Sequence, residues 1–250
     1  MDNLKGLKRR VKDSLIYARV LSNYEFASRY YVKMLTADDV DDIQAAKRLH
    51  AAVYLSRGFV DHTDISEGII HDLSDPHQHH SQYFVVKRGS EVVAVARQIT
   101  YKGEGAHHES FPILDKAILS ERSRRRILSI HPHEITEISA LVKKSGESPI
   151  APILLYRELW RHSLRHNHRV WVMACDVRLY ERLKLLFGPA LTKIGQRTPY
   201  KGGDVIPVTI NIAAGVSYLQ DVKSKRRTGV FDINRRAAQF ITRPQRAERK

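Results

Sequence analysis

The sequence is short of cysteine, of long apolar runs and of acidic residues. Its 250 residues contain one cysteine, Cys175, so no disulfide can form within the chain. Cys175 follows the apolar run VWVMA, where a buried thiol is expected rather than a nucleophile. No apolar run approaches the roughly 20 residues that cross a bilayer, and the N-terminus lacks the apolar region of a signal peptide. We therefore expect a cytoplasmic protein.

The excess of basic over acidic residues is uneven along the chain. The 42 Lys and Arg residues outnumber the 27 Asp and Glu residues, which gives a net charge of +15 with histidine neutral. Residues 1–20 carry +4 and residues 221–250 carry +7, which leaves +4 for the two hundred residues between them. The basic excess therefore belongs to the ends, where it indicates an acidic partner, an anionic membrane surface or a nucleic acid.

The order of predicted elements indicates three segments and one sheet. We predict a basic amphipathic helix in residues 1–28, a folded domain in residues 29–220, and a basic, partly disordered tail in residues 221–250. The fold class is α/β (α+β), with a mixed sheet of six to seven strands and helices on both faces. Strands are predicted at 30–35, 83–87, 92–100, 134–143, 170–174, 191–196 and 205–213, and helices at 36–54 (capped by Thr36), 65–71, 113–130, 148–167 and 177–187.

An acidic site is predicted on the strand EITEISALVKK. Glu137 and Ser139 lie two residues apart, so their side chains point to the same face of a strand. Glu137 can act as a general base if partial burial raises its pKa, or it can be a structural glutamate paired with an arginine. Ser139 can position an amine or a thiol, or be an ordinary strand serine. Backbone N–H groups near 141–143 can hold an oxyanion.

Four groups of residues, in order, carry a resemblance to a known family. They are LHAAVY before RGF at 49–59, the pair Asp72 and Asp75 before SQYFVV, Arg97 at the end of VVAVAR, and Glu137-Ile138-Ser139 followed by Leu141. Over about residues 29–215 the chain resembles the long-chain N-acyl amino acid synthases. These are related to the acyl-homoserine-lactone (autoinducer) synthases and share the acetyltransferase (GNAT) fold.

The resemblance implies a GNAT-like sheet with splayed central strands and acyl transfer to the amine of an amino acid. It implies Glu137 and Ser139 as catalytic residues and Asp72, Asp75, Arg97, Tyr54 and Phe59 as substrate-binding residues. Helix capping is the alternative role for the two aspartates. Ala140 and His50 stand where the lactone-forming synthases carry arginine, which argues against lactone synthesis. Val172 and Ala174 are predicted to line an acyl channel, because small residues leave room between the splayed strands.

The acyl donor is expected on acyl carrier protein, through its phosphopantetheine thioester, or on coenzyme A. The turn KKSGESPIAP has one glycine and is a poor cradle for a pyrophosphate. Like charges at i, i+4 destabilise a helix by roughly 0.2–0.5 kcal/mol per pair, so an acidic carrier protein would account for the basic residues here. A solvated helix face relieved by Glu158 is the alternative. The predicted carrier-binding residues are Lys143, Lys144, Arg157, Arg161 and Arg165.

Other classes remain open from the sequence. An acyl-CoA-dependent N-acetyltransferase is the alternative enzyme, and a nucleic-acid-binding protein that uses the basic termini is the alternative class. The tail interleaves only Phe231 and Phe240 with its charge, which is few for that class. The loop histidines 77, 79 and 80 and the helical pair His162 and His166 lack partners at zinc-finger spacing, so no metal and no permanently bound cofactor is expected.

Overall fold

The computed structural model describes residues 29–71, 77–101, 111–200 and 203–224. The predicted N-terminal helix, the pair Asp72 and Asp75, and the tail beyond Ser224 lie outside these ranges. Within them the chain forms one large sheet with helices on both faces, which confirms the predicted fold class.

The large sheet has eight strands among the described residues, in the order β1-β4-β5-β6-β7-β10-β8, with β9 paired to β10. A second, two-stranded sheet is formed by β2 and β3. The strands are β1 (Tyr30–Met34), β2 (Ile65–Ser66), β3 (Ile69–Ile70), β4 (Ser81–Arg88), β5 (Glu91–Ile99), β6 (Ile135–Lys143), β7 (Val170–Asp176), β8 (Leu191–Lys193), β9 (Thr198–Tyr200) and β10 (Gly203–Asn211).

The one parallel pair of the large sheet, β6 with β7, is short. It joins Ile135 to Val170, Thr136 to Trp171 and Glu137 to Val172, and no further pair follows. The other strand pairs of this sheet, within the described residues, are antiparallel. The central strands therefore separate after Glu137, which is the predicted splay.

Five helices flank the sheet in the described part of the chain. They are α1 (Val40–Arg57), α2 (Glu121–Leu128), α3 (Ile150–Arg165), α4 (Val177–Phe187) and α5 (Ile212–Ser224). On one face, α1 and α2 cover apolar side chains of β4, β5 and the start of β6. On the other face, α3, α4 and α5 pack on the alternate residues of β5, β7 and β10. This second cluster centres on Trp160, whose ring stacks on Phe187 with centroids 5.5 Å apart.

Three local predictions are wrong. Thr36 does not cap α1, because its N–H and hydroxyl instead bind the carboxylate of Asp39, and the helix begins at Val40. Residues 65–71 form the β2–β3 hairpin rather than a helix, with positive φ at both Glu67 and Gly68 in its turn. The helix predicted at 113–130 is shorter in the structure, where α2 covers Glu121–Leu128. Its start is fixed by Ser120, whose hydroxyl caps the helix by accepting a hydrogen bond from the Ser123 N–H.

Two elements were not predicted from the sequence. Strand β9 is three residues long and pairs antiparallel with the first three residues of β10. Helix α5 follows β10 directly and runs to Ser224, beyond the predicted domain boundary at 220. No helix in the described ranges combines the length and the apolar character needed to cross a membrane.

Helix α5 is held by a close approach that only glycine allows. A Cβ at Gly215 would lie 2.3 Å from the Cη2 atom of Trp160. Alanine normally favours a helix over glycine by about 1 kcal/mol, but overpacking a core costs about 1–3 kcal/mol. We therefore predict that Gly215→Ala lowers the free energy of unfolding, measured by urea denaturation. Ser217→Ala, at an exposed position of α5, is the matched control and should be neutral or stabilising. Unchanged stability in Gly215→Ala would contradict this packing.

Candidate active site

A cavity of about 1270 Å³ opens where β6 and β7 separate. Its wall includes Ser139 and Leu141 from β6 and Met173 and Ala174 from β7. These side chains belong to both faces of the sheet, because successive residues of a strand alternate between faces. The cavity therefore passes between the two strands, and its volume exceeds the roughly 300–1,000 Å³ of common small-molecule pockets.

Glu137 lies at the closed end of this gap, in the last β6–β7 residue pair. Its side chain is 3 % exposed, and its carboxylate accepts a hydrogen bond of 3.1 Å from the Ile113 N–H. Burial raises the pKa of Glu137 to about 8, although the Ile113 hydrogen bond and the positive charge of Arg97 both oppose the shift. A carboxyl with a pKa near the operating pH is suited to exchange protons with a bound amine.

Ser139 occupies a bulge in β6. Strand β5 pairs Gln98 with Ile138 and Arg97 with Ala140, so Ser139 has no partner residue opposite it. Its carbonyl accepts a hydrogen bond of 2.9 Å from the Tyr54 hydroxyl. Its own hydroxyl oxygen is buried in the cavity wall without a hydrogen-bond partner among the described residues. A bulge bends the strand and re-aims a side chain, and here it leaves one buried polar atom without a hydrogen-bond partner in the described residues.

The predicted substrate-binding residues that are described lie together in the cavity wall. The ring of Tyr54 is 5.4 Å from that of Phe59, and burial raises the pKa of Tyr54, so its hydroxyl remains a donor. Arg97 is 6 % exposed, donates from Nε to the Ser81 hydroxyl at 2.7 Å and lies over the face of Tyr83. The structure thus brings Tyr54, Phe59 and Arg97 to the same cavity as Glu137. Asp72 and Asp75 lie outside the described residues.

Backbone amides of β6 also face the gap. The Lys144 N–H donates to the Val93 carbonyl of β5 at 2.9 Å. Because amides alternate sides along a strand, those of Leu141 and Lys143 point away from β5, toward the space that β7 has left. This places two N–H donors where the sequence predicted an oxyanion site.

The two predicted channel residues differ in position. Ala174 lines the cavity, whereas Val172 is fully buried in an apolar cluster with Ile99 and Ile135 and is not part of the wall. Cys175, on the opposite face of β7, is fully buried, and burial raises the pKa of its thiol. The expectation of a buried thiol is confirmed.

The predicted basic residues divide between the cavity and the outer surface. Lys143 lines the cavity, while Lys144 forms an ion pair with Glu91. Arg157 and Arg161 both contact the carboxylate of Glu158, at 3.4 and 2.8 Å. Arg165, at the exposed end of α3, donates to the Arg161 carbonyl oxygen. The three arginines of α3 are absent from the cavity wall, and two of them share a counterion.

Several wall residues escaped the sequence analysis. Arg178 and Arg182 project from α4 into the wall, at the same i, i+4 spacing that drew attention to α3. Tyr200 and Asp115 also line the cavity and are hydrogen-bonded to each other, and burial followed by the Asp115 charge raises the pKa of Tyr200. Only the arginine spacing was visible in the sequence. Among the described residues, no group of three or more His, Cys, Asp or Glu side chains is arranged to hold a metal ion.

Comparison with known proteins identifies solved structures that share this fold. No family model matches the sequence, and no curated protein is significantly similar to it. Solved structures do match. The N-acyl amino acid synthase FeeM from uncultured soil microbes superposes with a TM-score of 0.55 at 15 % identity, over 76 % of this chain and 94 % of FeeM.

Two further structures match to a similar degree. The acyl-homoserine-lactone synthase LasI gives a TM-score of 0.56 at 16 % identity, over 73 % of this chain and 90 % of LasI. The CoA-dependent acyl-homoserine lactone synthase BjaI, solved with SAM and isopentyl-CoA, gives 0.56 at 13 % identity, over 82 % and 98 %. The chain has the fold of these synthases. The resemblance predicted from the sequence is thus confirmed at the level of fold.

The raised pKa of Glu137 predicts how the folding stability changes with pH. The folded state holds this proton up to about pH 8, whereas the unfolded chain releases it near its ordinary pKa of 4.5. Between these values the folded state binds more protons, so its stability falls as pH rises, by at most about 1.4 kcal/mol per pH unit. The variant Glu137→Gln has no carboxyl to titrate at this position, so its folding stability does not fall for this reason. We predict that its melting temperature gains on the wild type from about pH 5 to about pH 8. A pH-independent difference between the two melting curves would contradict the buried, protonated carboxyl.

Proposed function

We propose that the protein is an N-acyltransferase that moves a long-chain acyl group from a carrier-bound thioester to the amine of an amino acid. The observation that carries the proposal is the buried Glu137 carboxyl in the wall of a cavity that passes between two splayed strands. A shared fold with N-acyl amino acid and acyl-homoserine-lactone synthases supports it. At 13–16 % identity that likeness concerns the fold, so the argument for activity rests on the site.

The proposed reaction needs a proton acceptor and an oxyanion site. The amine nitrogen attacks the thioester carbonyl carbon, a C–N bond forms, and the C–S bond breaks. Glu137, in its ionised form, takes the proton that the amine loses and then gives it to the thiolate sulfur, which leaves as a thiol. The amides of Leu141 and Lys143 are suited to stabilise the carbonyl oxygen as it gains charge, since they face the gap. Acid, base and leaving group are thereby accounted for without a cofactor step.

The acceptor is proposed to bind between α1 and the end of β5. Arg97 offers a buried guanidinium to a carboxylate, and a charge-assisted bond of this kind is stronger than one between neutral groups. The Ser139 hydroxyl, with no hydrogen-bond partner in the described chain, offers a contact to the amine or to the sulfur. Tyr54 and Phe59 bound the same space. These roles fit an amino acid, which presents an amine and a carboxylate two bonds apart on one carbon.

The function is tested directly by expression and lipid analysis. The protein is expressed in a bacterial host, the lipids are extracted, and N-acylated amines absent from the empty-vector host are sought by mass spectrometry. We predict that Glu137→Gln lowers their formation by roughly 10²–10⁴, the usual weight of a general base. Glu134→Gln is the matched control, since Glu134 is paired with Arg169 outside the cavity wall. No new acylated amine, or wild-type yield from Glu137→Gln, would remove the proposed mechanism.

The acyl chain is proposed to run along β7 past Ala174. Each methylene buried is worth about 0.8 kcal/mol, so a side chain that shortens the channel penalises long chains steeply. We predict that Ala174→Phe shifts the preferred donor toward shorter acyl chains while short-chain transfer persists, with Ala174→Val intermediate. Chain-length profiles of purified variants measure the shift. Equal loss at every chain length, together with a lower melting temperature, would mean that Ala174 is a packing position. A larger side chain at Val172 would enter the buried cluster rather than the cavity wall, so Val172→Trp is not a test of the channel.

A further inference from the structure

A phenol hydroxyl lies on the same side of the sheet as the Glu137 carboxyl. Residues two apart on a strand share a face, so Glu137 lies on the side of Ile135, which belongs to a buried apolar cluster. Tyr200 of β9 packs against this same cluster and lines the cavity. The wall therefore carries two polar side chains, Glu137 and Tyr200, above one apolar floor.

One short turn positions both of these groups. The Ile113 N–H donates to the Glu137 carboxylate at 3.1 Å. Two residues further along the chain, the Asp115 carboxylate accepts a hydrogen bond from the Tyr200 hydroxyl. Oδ1 of Asp115 also accepts the Ala117 N–H at 2.9 Å, which fixes the orientation of this carboxylate. Any ligand group that reaches Glu137 is therefore near a hydroxyl held by the same turn.

The strand that carries Tyr200 is held against the end of α1. Tyr200 pairs with Gly203 of β10. A Cβ at Gly203 would lie 2.5 Å from the Cε1 atom of Phe59, so the backbone of β10 lies directly on this ring. The ring of Phe59 in turn lies 5.4 Å from that of Tyr54. Contacts with the turn and with α1 thus place Tyr200 from both sides of the cavity.

The hydrogen bond to Asp115 decides what the Tyr200 hydroxyl offers to a ligand. A phenol has one proton to donate, and its oxygen can also accept. Burial, followed by the charges of Asp115 and Glu137, raises the pKa of Tyr200, so the hydroxyl keeps its proton at neutral pH. Because that proton is directed to the Asp115 carboxylate, the oxygen acts as an acceptor toward the cavity. Its complement in a ligand is an N–H group.

The acyl acceptor of the proposed reaction supplies such a group only if it is a primary amine. A primary amine has two N–H bonds and a lone pair. The lone pair forms the new C–N bond, Glu137 takes one proton, and the second N–H stays on the nitrogen of the amide product. A secondary amine keeps no N–H, so its product would place a carbon atom against the Tyr200 oxygen. Leaving a partly buried acceptor without a donor weakens binding.

We propose that the Tyr200 oxygen accepts the N–H that the acceptor nitrogen keeps, and that the protein therefore selects primary over secondary amines. Tyr200 is then a specificity-determining residue that contacts the substrate, and Asp115 is a positioning residue that acts through it. Proline and N-methyl amino acids are excluded as acceptors. This inference rests on the proposed function, since it assumes that the amine lies beside Glu137.

Two matched products test the contact without turnover. N-lauroylglycine carries the amide N–H, and N-lauroylsarcosine carries a methyl group in its place. Each is titrated calorimetrically into the full chain, below the concentration at which it forms micelles. We expect N-lauroylglycine to bind about tenfold tighter, the effect of one hydrogen bond to a partly buried acceptor. Equal affinities, tighter binding of N-lauroylsarcosine, or no binding of either product would overturn the inference.

The variant Tyr200→Phe separates the hydrogen bond from the size of the side chain. Phenylalanine keeps the ring and removes the oxygen, so a clash with the methyl group would remain while the hydrogen bond is lost. We expect the ratio of the two affinities to fall to about one. Tyr218→Phe is the matched control, since Tyr218 packs on Gly188 outside the cavity wall, and it should keep the wild-type ratio. An unchanged ratio in a cooperatively melting Tyr200→Phe would show that the selection is steric and overturn the proposal.

The positioning role of Asp115 is tested in the same titration. In Asp115→Ala the hydroxyl proton is no longer held away from the cavity, so we expect the ratio to fall by about threefold. Asp204→Ala is the control, because Asp204 lies opposite β9 and pairs with Arg197 outside the cavity wall. A wild-type ratio in Asp115→Ala would remove Asp115 from the proposal.

Lipid analysis of the expressing host decides separately whether the reaction occurs. If N-acylated amines form and N-acylproline is as abundant among them as the products of primary amino acids, the reaction stands and the selection of primary amines is wrong. If no N-acylated amine forms while the two products bind with the expected ratio, the proposed reaction fails and the contact between Tyr200 and the amide N–H holds.

Discussion

The short pairing of β6 with β7 is the constraint on which the rest of the site depends. Three residue pairs hold the strands together, and the last one contains Glu137. Had the pairing continued, the amides of Leu141 and Lys143 would have been used in the sheet, and no passage would cross it. Because it stops, strand edges face a cavity instead of each other. An unpaired strand edge is costly when buried, so the gap is best understood as a place where a ligand completes the sheet.

The burial of Glu137 follows from its place at the closed end of that gap. The N–H of Ile113 and the charge of Arg97 favour the carboxylate, yet desolvation outweighs both and raises the pKa of Glu137 to about 8. A buried carboxyl at a strand junction weakens the fold at neutral pH, since its ionisation is opposed by the surrounding apolar side chains. Stability is lost at the position where the proposed reaction needs a proton acceptor, a trade-off known from active sites.

The sequence predicts the central strands well and the connections poorly. Apolar runs and alternation locate β5, β6 and β7, because strand pattern is a local property. The same pattern puts Glu137 and Ser139 close together. It does not reveal the pairing of Asp115 with Tyr200 or the counterion that Arg157 and Arg161 share, since both depend on contacts in the folded chain. Helix α5 was missed because Gly215 weakens its pattern, and its packing against Trp160 appears only in three dimensions.

The arginine patterns show most clearly that contacts in the folded chain cannot be predicted from the sequence alone. Arginines at i, i+4 occur on α3 and on α4, and the sequence alone gives the longer α3 series more weight. In the fold, Arg157 and Arg161 of α3 share Glu158 as a counterion, while Arg178 and Arg182 of α4 line the cavity wall. A like-charge pair indicates a binding surface only when no counterion within the protein satisfies it. The same fold is found in a CoA-dependent synthase. The architecture therefore leaves the choice of donor open, and side chains at the cavity entrance must make it.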